Sequence, residues 1–412
     1  MEGMITMNSK LTYREAQKLL LETIRPVGTE PVPLAACTGR ILARELVASS
    51  DVPPFDRSPF DGYVLRAADT VNASRENPVT FHIMEEIPAS CAPTYTLGVG
   101  QASKILTGAP IPPGGDAVVP FERTEFTDST VTLFKPLRPG ENIVRKGEDI
   151  RRGALLSPCG QRIDAGLMGS LAGQNIAEPL VYRRPRIGIL STGSELIELG
   201  HDLPLGKIHD TNRYSMAALV GGLGAEPALY GSVPDNAEAI ANAMERALSE
   251  CDALITTGGV SVGDYDLTPQ AMERIGADIL VHGVDLKPGM ACCYAVRDGK
   301  LLCGLSGNPA SSITNFYAVA LPALRRLCGR RDCETREFPV TLAERFGKPS
   351  PANRLLRGYS DFSDGSLKLR LSSGQGNVMI SSLIGCDLAA VVPAGSGPVE
   401  AGTVLRGFFL EL

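Results

Sequence analysis

The sequence predicts a multidomain protein of mixed α/β and β class, with a doubly wound α/β domain at its centre. Three observations carry that reading. After residue 180, short apolar runs alternate with helical patterns of about 8–16 residues, the signature of a parallel sheet wrapped by helices. Residues 62–144 instead show short strands separated by Pro/Gly turns, which predicts an all-β module. Residues 333–412 return to short strands with Gly/Ser turns, so a small all-β domain is expected to close the chain.

The elements follow in order. Residues 11–25 place Ala16, Leu19, Leu20 and Ile24 at helical spacing, which predicts an amphipathic helix that starts near Thr12 and stops at Pro26. A proline-rich stretch from Pro53 leads into the β module. Residues 164–176 read as a short helix. The basic segment 181–186 marks a boundary. Beyond it, Ile187–Leu190 is a buried-strand run. A helix is expected over 211–221, a strand over 227–230, a helix over 235–250 and a strand over 253–256. The α/β domain is expected to span about 180–332.

Composition bounds the function. The chain has 412 residues, which calls for two to four domains. Its formal charge of −6 argues against general nucleic-acid or anionic-membrane binding. No apolar run approaches the roughly 20 residues of a membrane span. No secretory pattern precedes Lys10, so a cytoplasmic location is expected. The ten cysteines form no Cys-x-x-Cys pair and read as reduced, mostly buried thiols rather than a zinc site.

The strongest chemical signal is the stretch Leu254 to Asp266. An apolar strand ends in Thr256-Thr257-Gly258-Gly259, followed by Ser261, Gly263, Asp264 and Asp266. In open α/β sheets ligands bind at such carboxyl ends. Glycines let main-chain N–H groups approach an anion. Adjacent carboxylates would repel bare phosphate, so a divalent cation is expected between them. Three more polar clusters follow apolar runs in the same domain: Ser191-Thr192-Gly193-Ser194-Glu195, His209-Asp210-Thr211-Asn212 and Ser306-Gly307-Asn308-Pro309-Ala310-Ser311-Ser312. Lys287-Pro288-Gly289 adds a cation. A doubly wound sheet would gather these ends.

These segments, with Ser58-Pro59-Phe60-Asp61-Gly62-Tyr63, Leu106-Thr107-Gly108-Ala109-Pro110, Gly115-Asp116-Ala117-Val118-Val119 and Arg145-Lys146-Gly147-Glu148-Asp149, occur in one order along nearly the whole chain. In that order and content the chain resembles the molybdopterin molybdenumtransferase family, which includes bacterial MoeA proteins and the E domain of gephyrin. The resemblance implies four domains: an elongated discontinuous domain (27–48 and 145–177), a β domain (49–144), an α/β molybdopterin-binding domain (10–26 and 178–332) and a C-terminal β-barrel (333–412). It implies an L-shaped homodimer, with the cleft between the α/β domain of one subunit and the β domain of the other. The implied substrates are adenylylated molybdopterin and molybdate. Molybdenum is inserted at the dithiolene sulfurs and AMP is released, with Mg²⁺ required. An upstream adenylyltransferase and recipient molybdoenzymes are implied partners.

On that resemblance, Glu195, Asp210, Asp264 and Asp266 are expected to hold Mg²⁺. Thr192, Gly193, Gly258, Gly259, Ser261, Gly307, Asn308, Ser311 and Ser373 are expected to contact the pterin nucleotide. Lys287 is suited to an oxyanion, with Arg354 and Arg357 as further contacts. Asp61 and Thr107 are expected to act in catalysis from the partner subunit, together with Glu148 and Asp149. The chain departs from the family at several points. Gly283 stands where a basic residue is common, with His282 beside it. Met290 replaces a frequent lysine, Ser306 a proline, and Ser194 an acidic residue. These departures leave open a catalytically weak pterin-binding assembly protein or a tungstate-handling paralogue.

Overall fold

The structure is a computed structural model that describes residues 10–260 and 267–412. The chain divides into two compact units. One comprises the chain through Arg44, Cys159–Asp164 and Glu178–Leu412; the other comprises Glu45–Pro158 and Ala165–Ala177.

The larger unit is built on a six-stranded sheet. In chain order its strands are β1 (Arg186–Thr192), β2 (Glu226–Val233), β3 (Ala253–Thr257), β4 (Asp278–His282), β5 (Cys292–Arg297) and β6 (Lys300–Leu305). In space they lie in the order β2-β1-β3-β6-β5-β4. The first four of that row are parallel; β5 and β4 are antiparallel additions at the edge. The chain moves from β1 outward to β2, then back across to β3. The order therefore reverses between β1 and β3, and an open α/β sheet leaves its ligand crevice at such a point.

Apolar residues on both faces of the central strands explain why helices flank the sheet on both sides. Ile187, Ile189, Ile255 and Cys303 face one core, which helices Tyr13–Thr23 and Thr211–Gly222 cover. Leu190, Leu254 and Leu302 face the other, under helices Ala237–Glu250 and Leu267–Arg274. The first helix starts as its sequence dictates. Thr12 accepts the Glu15 N–H and the Glu15 carboxylate reaches back to the Thr12 N–H, a reciprocal cap. Its Ala16 and Leu20 are fully buried, and burial of a leucine side chain stabilises the fold by about 2 kcal/mol.

After the helical segment from Pro309 to Leu327, the chain closes in a five-stranded barrel. Its strands are Phe338–Leu342, Arg354–Asp361, Lys368–Leu371, Leu388–Val392 and Val404–Phe409. Alternate residues such as Val340, Leu356, Leu369 and Ala390 fill its interior. The second unit holds another six-stranded sheet, from Gly62–Leu65 through Thr130–Leu133, and the Ala165–Gly173 helix. The all-β expectation for residues 62–144 and the short helix after Asp164 agree with it. Among the described residues no helix is long and apolar enough to cross a membrane. All ten cysteines are free thiols, and Cys292 and Cys293 are buried in β5, as expected.

Candidate functional site at the strand ends

The ends of β1, β3 and β6 are in register: Ser191 lies opposite Thr257, and Thr257 opposite Leu305. Everything that follows each strand is therefore delivered to one edge. The approach is closest at Gly258. A Cβ there would lie 2.3 Å from the Thr192 carbonyl oxygen, and φ is +98°, so only glycine fits. The Gly258 N–H donates to the Leu305 carbonyl at 3.0 Å, so this amide already serves the sheet. Gly259, with φ +63°, is equally tight, because a Cβ would meet Thr268 Oγ1 at 2.6 Å. Thr268 fastens this corner: its hydroxyl donates to the Gly258 carbonyl at 2.9 Å and its N–H to the Gly259 carbonyl at 3.1 Å. Ser261, Asp264 and Asp266 lie outside the described residues.

The other clusters converge on the same corner. Thr192 is buried, and its hydroxyl donates to the Thr257 carbonyl at 3.4 Å. Gly193 lacks a side chain, and the Glu195 carboxylate folds against it, with Oε2 2.7 Å from the position of a Cβ. Gly307 packs on Gly258, and its carbonyl accepts the Asn212 side-chain N–H at 2.8 Å. Asn308 N–H donates to Ser306 Oγ at 3.2 Å, and Asn308 precedes the helix that carries buried Ser311.

Asp210 occupies this corner in a committed state. It caps the Thr211–Gly222 helix by accepting the Arg213 N–H at 3.0 Å, and its other oxygen accepts Arg213 Nε at 2.9 Å. Arg213 also donates to Glu198 at 2.8 Å. Burial opposes the charge on this guanidinium, but Glu198 and Asp210 more than offset it and raise its pKa. A cation at Asp210 would have to share it with Arg213. Among the described residues no three His, Cys, Asp or Glu side chains converge as a metal cluster. The oxygen donors that are present, the Glu195 carboxylate above all, suit a hard cation such as Mg²⁺ in kind.

A second edge carries the cations. Lys287 is exposed on the turn after the short strand Val284–Asp285. Its N–H donates to the Asn353 carbonyl at 2.7 Å, and its carbonyl accepts the Leu355 N–H at 2.9 Å. The turn is thereby stitched to the barrel strand bearing Arg354. The Gly289 carbonyl accepts the buried Asn315 side chain at 2.6 Å, which ties the turn to the Ser311 helix as well. Arg357 was expected to contact oxyanion, but it is fully buried. It donates to the Gly376 carbonyl at 3.1 Å and the Gly374 carbonyl at 3.4 Å, and burial lowers its pKa. It braces the loop on which Ser373 stands exposed, and that loop's Asn377 carbonyl accepts the Ala310 N–H at 3.1 Å.

In the second unit, Asp61 and Thr107 meet directly. Asp61 Oδ1 accepts the Thr107 N–H at 2.7 Å and the Thr107 hydroxyl at 2.8 Å, and these bonds lower the Asp61 pKa. Glu148 turns back on its own loop, accepting the Arg145 N–H at 2.8 Å. Sequence reasoning overlooked Arg213 and Thr268. The spacing Asp210-x-x-Arg213 was the available signal for the first; nothing local announces the second.

The comparisons with known proteins follow these features. Residues 11–174 match the MoeA N-terminal region (domain I and II), and residues 188–326 match the probable molybdopterin binding domain. A molybdopterin molybdenumtransferase of Staphylococcus epidermidis is 34% identical over 401 residues, covering 97% of this chain and 96% of its own. One of Staphylococcus aureus is 34% identical over 371 residues, covering 90% and 88%. A crystal structure of the molybdopterin biosynthesis MoeA protein of Pyrococcus horikoshii superposes with a TM-score of 0.83 at 30% identity, covering 97% of this chain and 100% of its own. The chain belongs to the molybdopterin molybdenumtransferase family, transferases of molybdenum cofactor biosynthesis.

Proposed function

We propose that this protein inserts molybdenum from molybdate into adenylylated molybdopterin, with release of AMP, and that it works as a Mg²⁺-dependent homodimer. The observation that carries the reading is the convergence of Thr192, Glu195, Asn212, Gly258 and Gly307 at the switch point of the sheet. There the backbone is bare enough for a phosphate-bearing ligand to lie against it.

In this reading the strand-end corner binds the nucleotide's phosphates. Gly307 leaves the backbone exposed, and Thr192, Asn308 and Ser311 supply polar groups along the same edge. Glu195, Asp264 and Asp266 would hold Mg²⁺, with Asp210 adding a carboxylate that Arg213 keeps oriented. Bound there, Mg²⁺ would neutralise the pyrophosphate and stabilise charge as it is cleaved. Lys287 would hold the oxyanion as an exposed point charge on a turn fastened at both ends, and Ser373, on the loop braced by Arg357, would add a hydroxyl. The Asp61–Thr107 pair offers a carboxylate held ionised and oriented.

Purified protein incubated with adenylylated molybdopterin, Mg²⁺ and molybdate should release AMP and yield a cofactor that activates an apo-molybdoenzyme. Absence of both products would discard the reading. Tight pterin binding without turnover would instead support an assembly protein, a reading favoured by the engagement of Asp210 with Arg213. Competition between molybdate and tungstate would identify the preferred oxyanion.

A further inference from the structure

The segment that ends in Lys287 is accompanied by a second cation that arrives from the other end of the chain. The short strand Leu11–Thr12 adds in parallel to Val284–Asp285, with Leu11 opposite Val284 and Thr12 opposite Asp285. That register brings Lys10 beside Gly283. A Cβ on Gly283 would lie 3.6 Å from Lys10 Cε and 3.8 Å from its Cδ, so the lysine stem occupies the space over the glycine.

Gly283 could not carry a side chain of its own without strain. Its φ is +78°, a conformation L residues rarely adopt. It is also locked in place: its N–H donates to the Cys292 carbonyl at 2.7 Å, and the next N–H, from Val284, donates to the Met290 carbonyl at 3.1 Å. The position that cannot hold a cation is thus covered by one from the N-terminal strand.

Lys10 is not on a loose tail at this point. Two residues later the reciprocal cap at Thr12 opens a helix whose Tyr13, Ala16 and Leu20 are buried in the core. The Cys292 thiol, pushed up to about 11 by burial, feels the Lys10 charge as an opposing field, consistent with the short approach. Asp285, the acidic residue of this segment, takes the Asn353 side chain at 2.7 Å. Neither Lys10 nor Lys287 has an ion-pair partner among the described residues. Both lysines are exposed: Lys287 ends segment 283–287, and Lys10, from the N-terminal strand, lies over Gly283 at its start.

We propose that Lys10 is a specificity-determining residue for the oxyanion substrate, its ammonium acting with that of Lys287 to attract a tetrahedral dianion. The inference rests on the reading of the Lys287 edge as the oxyanion side. A lysine ammonium on its flexible stem is suited to this task because it needs no fixed fork geometry to reach a small anion.

The test uses the full chain with adenylylated molybdopterin and Mg²⁺, following AMP release and cofactor formation against molybdate concentration. Lys10→Met should raise the molybdate KM about tenfold, the worth of one charge-assisted hydrogen bond. The KM for the pterin nucleotide and the thermal midpoint should stay unchanged, and Lys10→Arg should recover most of the loss. A Lys10→Met curve superimposed on that of an active wild type would overturn the role of Lys10 and leave the proposed function standing. Equal losses toward both substrates would also overturn it, because they would mark a structural role. An inactive wild type would remove the functional reading and this inference with it.

Discussion

The strand-end corner and the Lys287 edge are built on opposite principles. At the corner, glycines at positive φ let β1, β3 and the Gly307 turn close to van der Waals contact, and hydroxyls satisfy the carbonyls that remain. At the edge, the chemistry rides on long exposed side chains, carried by a turn that is fastened to its neighbours. Where backbone meets backbone as closely as at Gly258, almost no added atom is tolerated. A site made of ammonium groups can take its charge from any segment that passes close enough, as Lys10 does over Gly283. On the proposed reading, the charge that position 283 lacks is supplied there by Lys10.

The sharpest way to break this comparison is to add one methyl group. Gly258→Ala forces a Cβ to 2.3 Å from a backbone oxygen at φ +98°, and it should cost about 3 kcal/mol from overpacking and backbone strain together. Gly307→Ala meets its nearest atom at 3.5 Å, an ordinary contact, and should cost under about 1 kcal/mol. Urea denaturation of both variants decides the matter, and equal costs would show that the corner is not as tight as described. Next in size is the metal side. Asp264→Asn and Asp266→Asn should each lower Mg²⁺-dependent turnover by on the order of 100-fold with little change in stability, and chelation of Mg²⁺ should do the same to the wild type. Unchanged rates in both variants would remove the carboxylates from the reaction.

Lys287→Met probes the edge. It should raise the molybdate KM by roughly 10- to 100-fold while leaving pterin affinity intact, because the side chain is exposed and its backbone bonds to Asn353 and Leu355 survive. A loss of pterin affinity instead would merge the two regions into one site.

Local patterns made the corner legible in the sequence. The Thr-Thr-Gly-Gly turn after an apolar run and the Asn308-Pro309 helix start each declare themselves within four residues, and the structure builds both. The alternation of strands and helices was equally plain, because both faces of the sheet must be covered. The edge was less legible because its chemistry is non-local. Arg357 reads from sequence as a cation for the ligand, but the barrel buries it and uses it to hold Gly374 and Gly376. Lys10 reads as a polar residue before a helix; only the pairing of Leu11 with Val284 gives it a place. Asp210 reads as a metal ligand, while its cap and its pairing with Arg213 require the helix to be seen.

The smallest effect concerns the Asp61–Thr107 pair, which combines the two principles: a backbone N–H and a side-chain hydroxyl on one carboxylate oxygen. The backbone bond is the larger cause of the lowered Asp61 pKa, and the hydroxyl is the second. A carboxylate with a depressed folded pKa favours the native state above its unfolded value near 4, and that contribution fades as pH falls through the folded value. Thr107→Val removes the hydroxyl and keeps the N–H. The Asp61 pKa should therefore rise part of the way back to its ordinary value, and stability at pH 7 should barely change because the pair is exposed. A carboxyl-carbon NMR titration of both proteins measures this. An unmoved pKa would show that the backbone bond alone orients the carboxylate, and that Thr107 is free to offer its hydroxyl to a ligand.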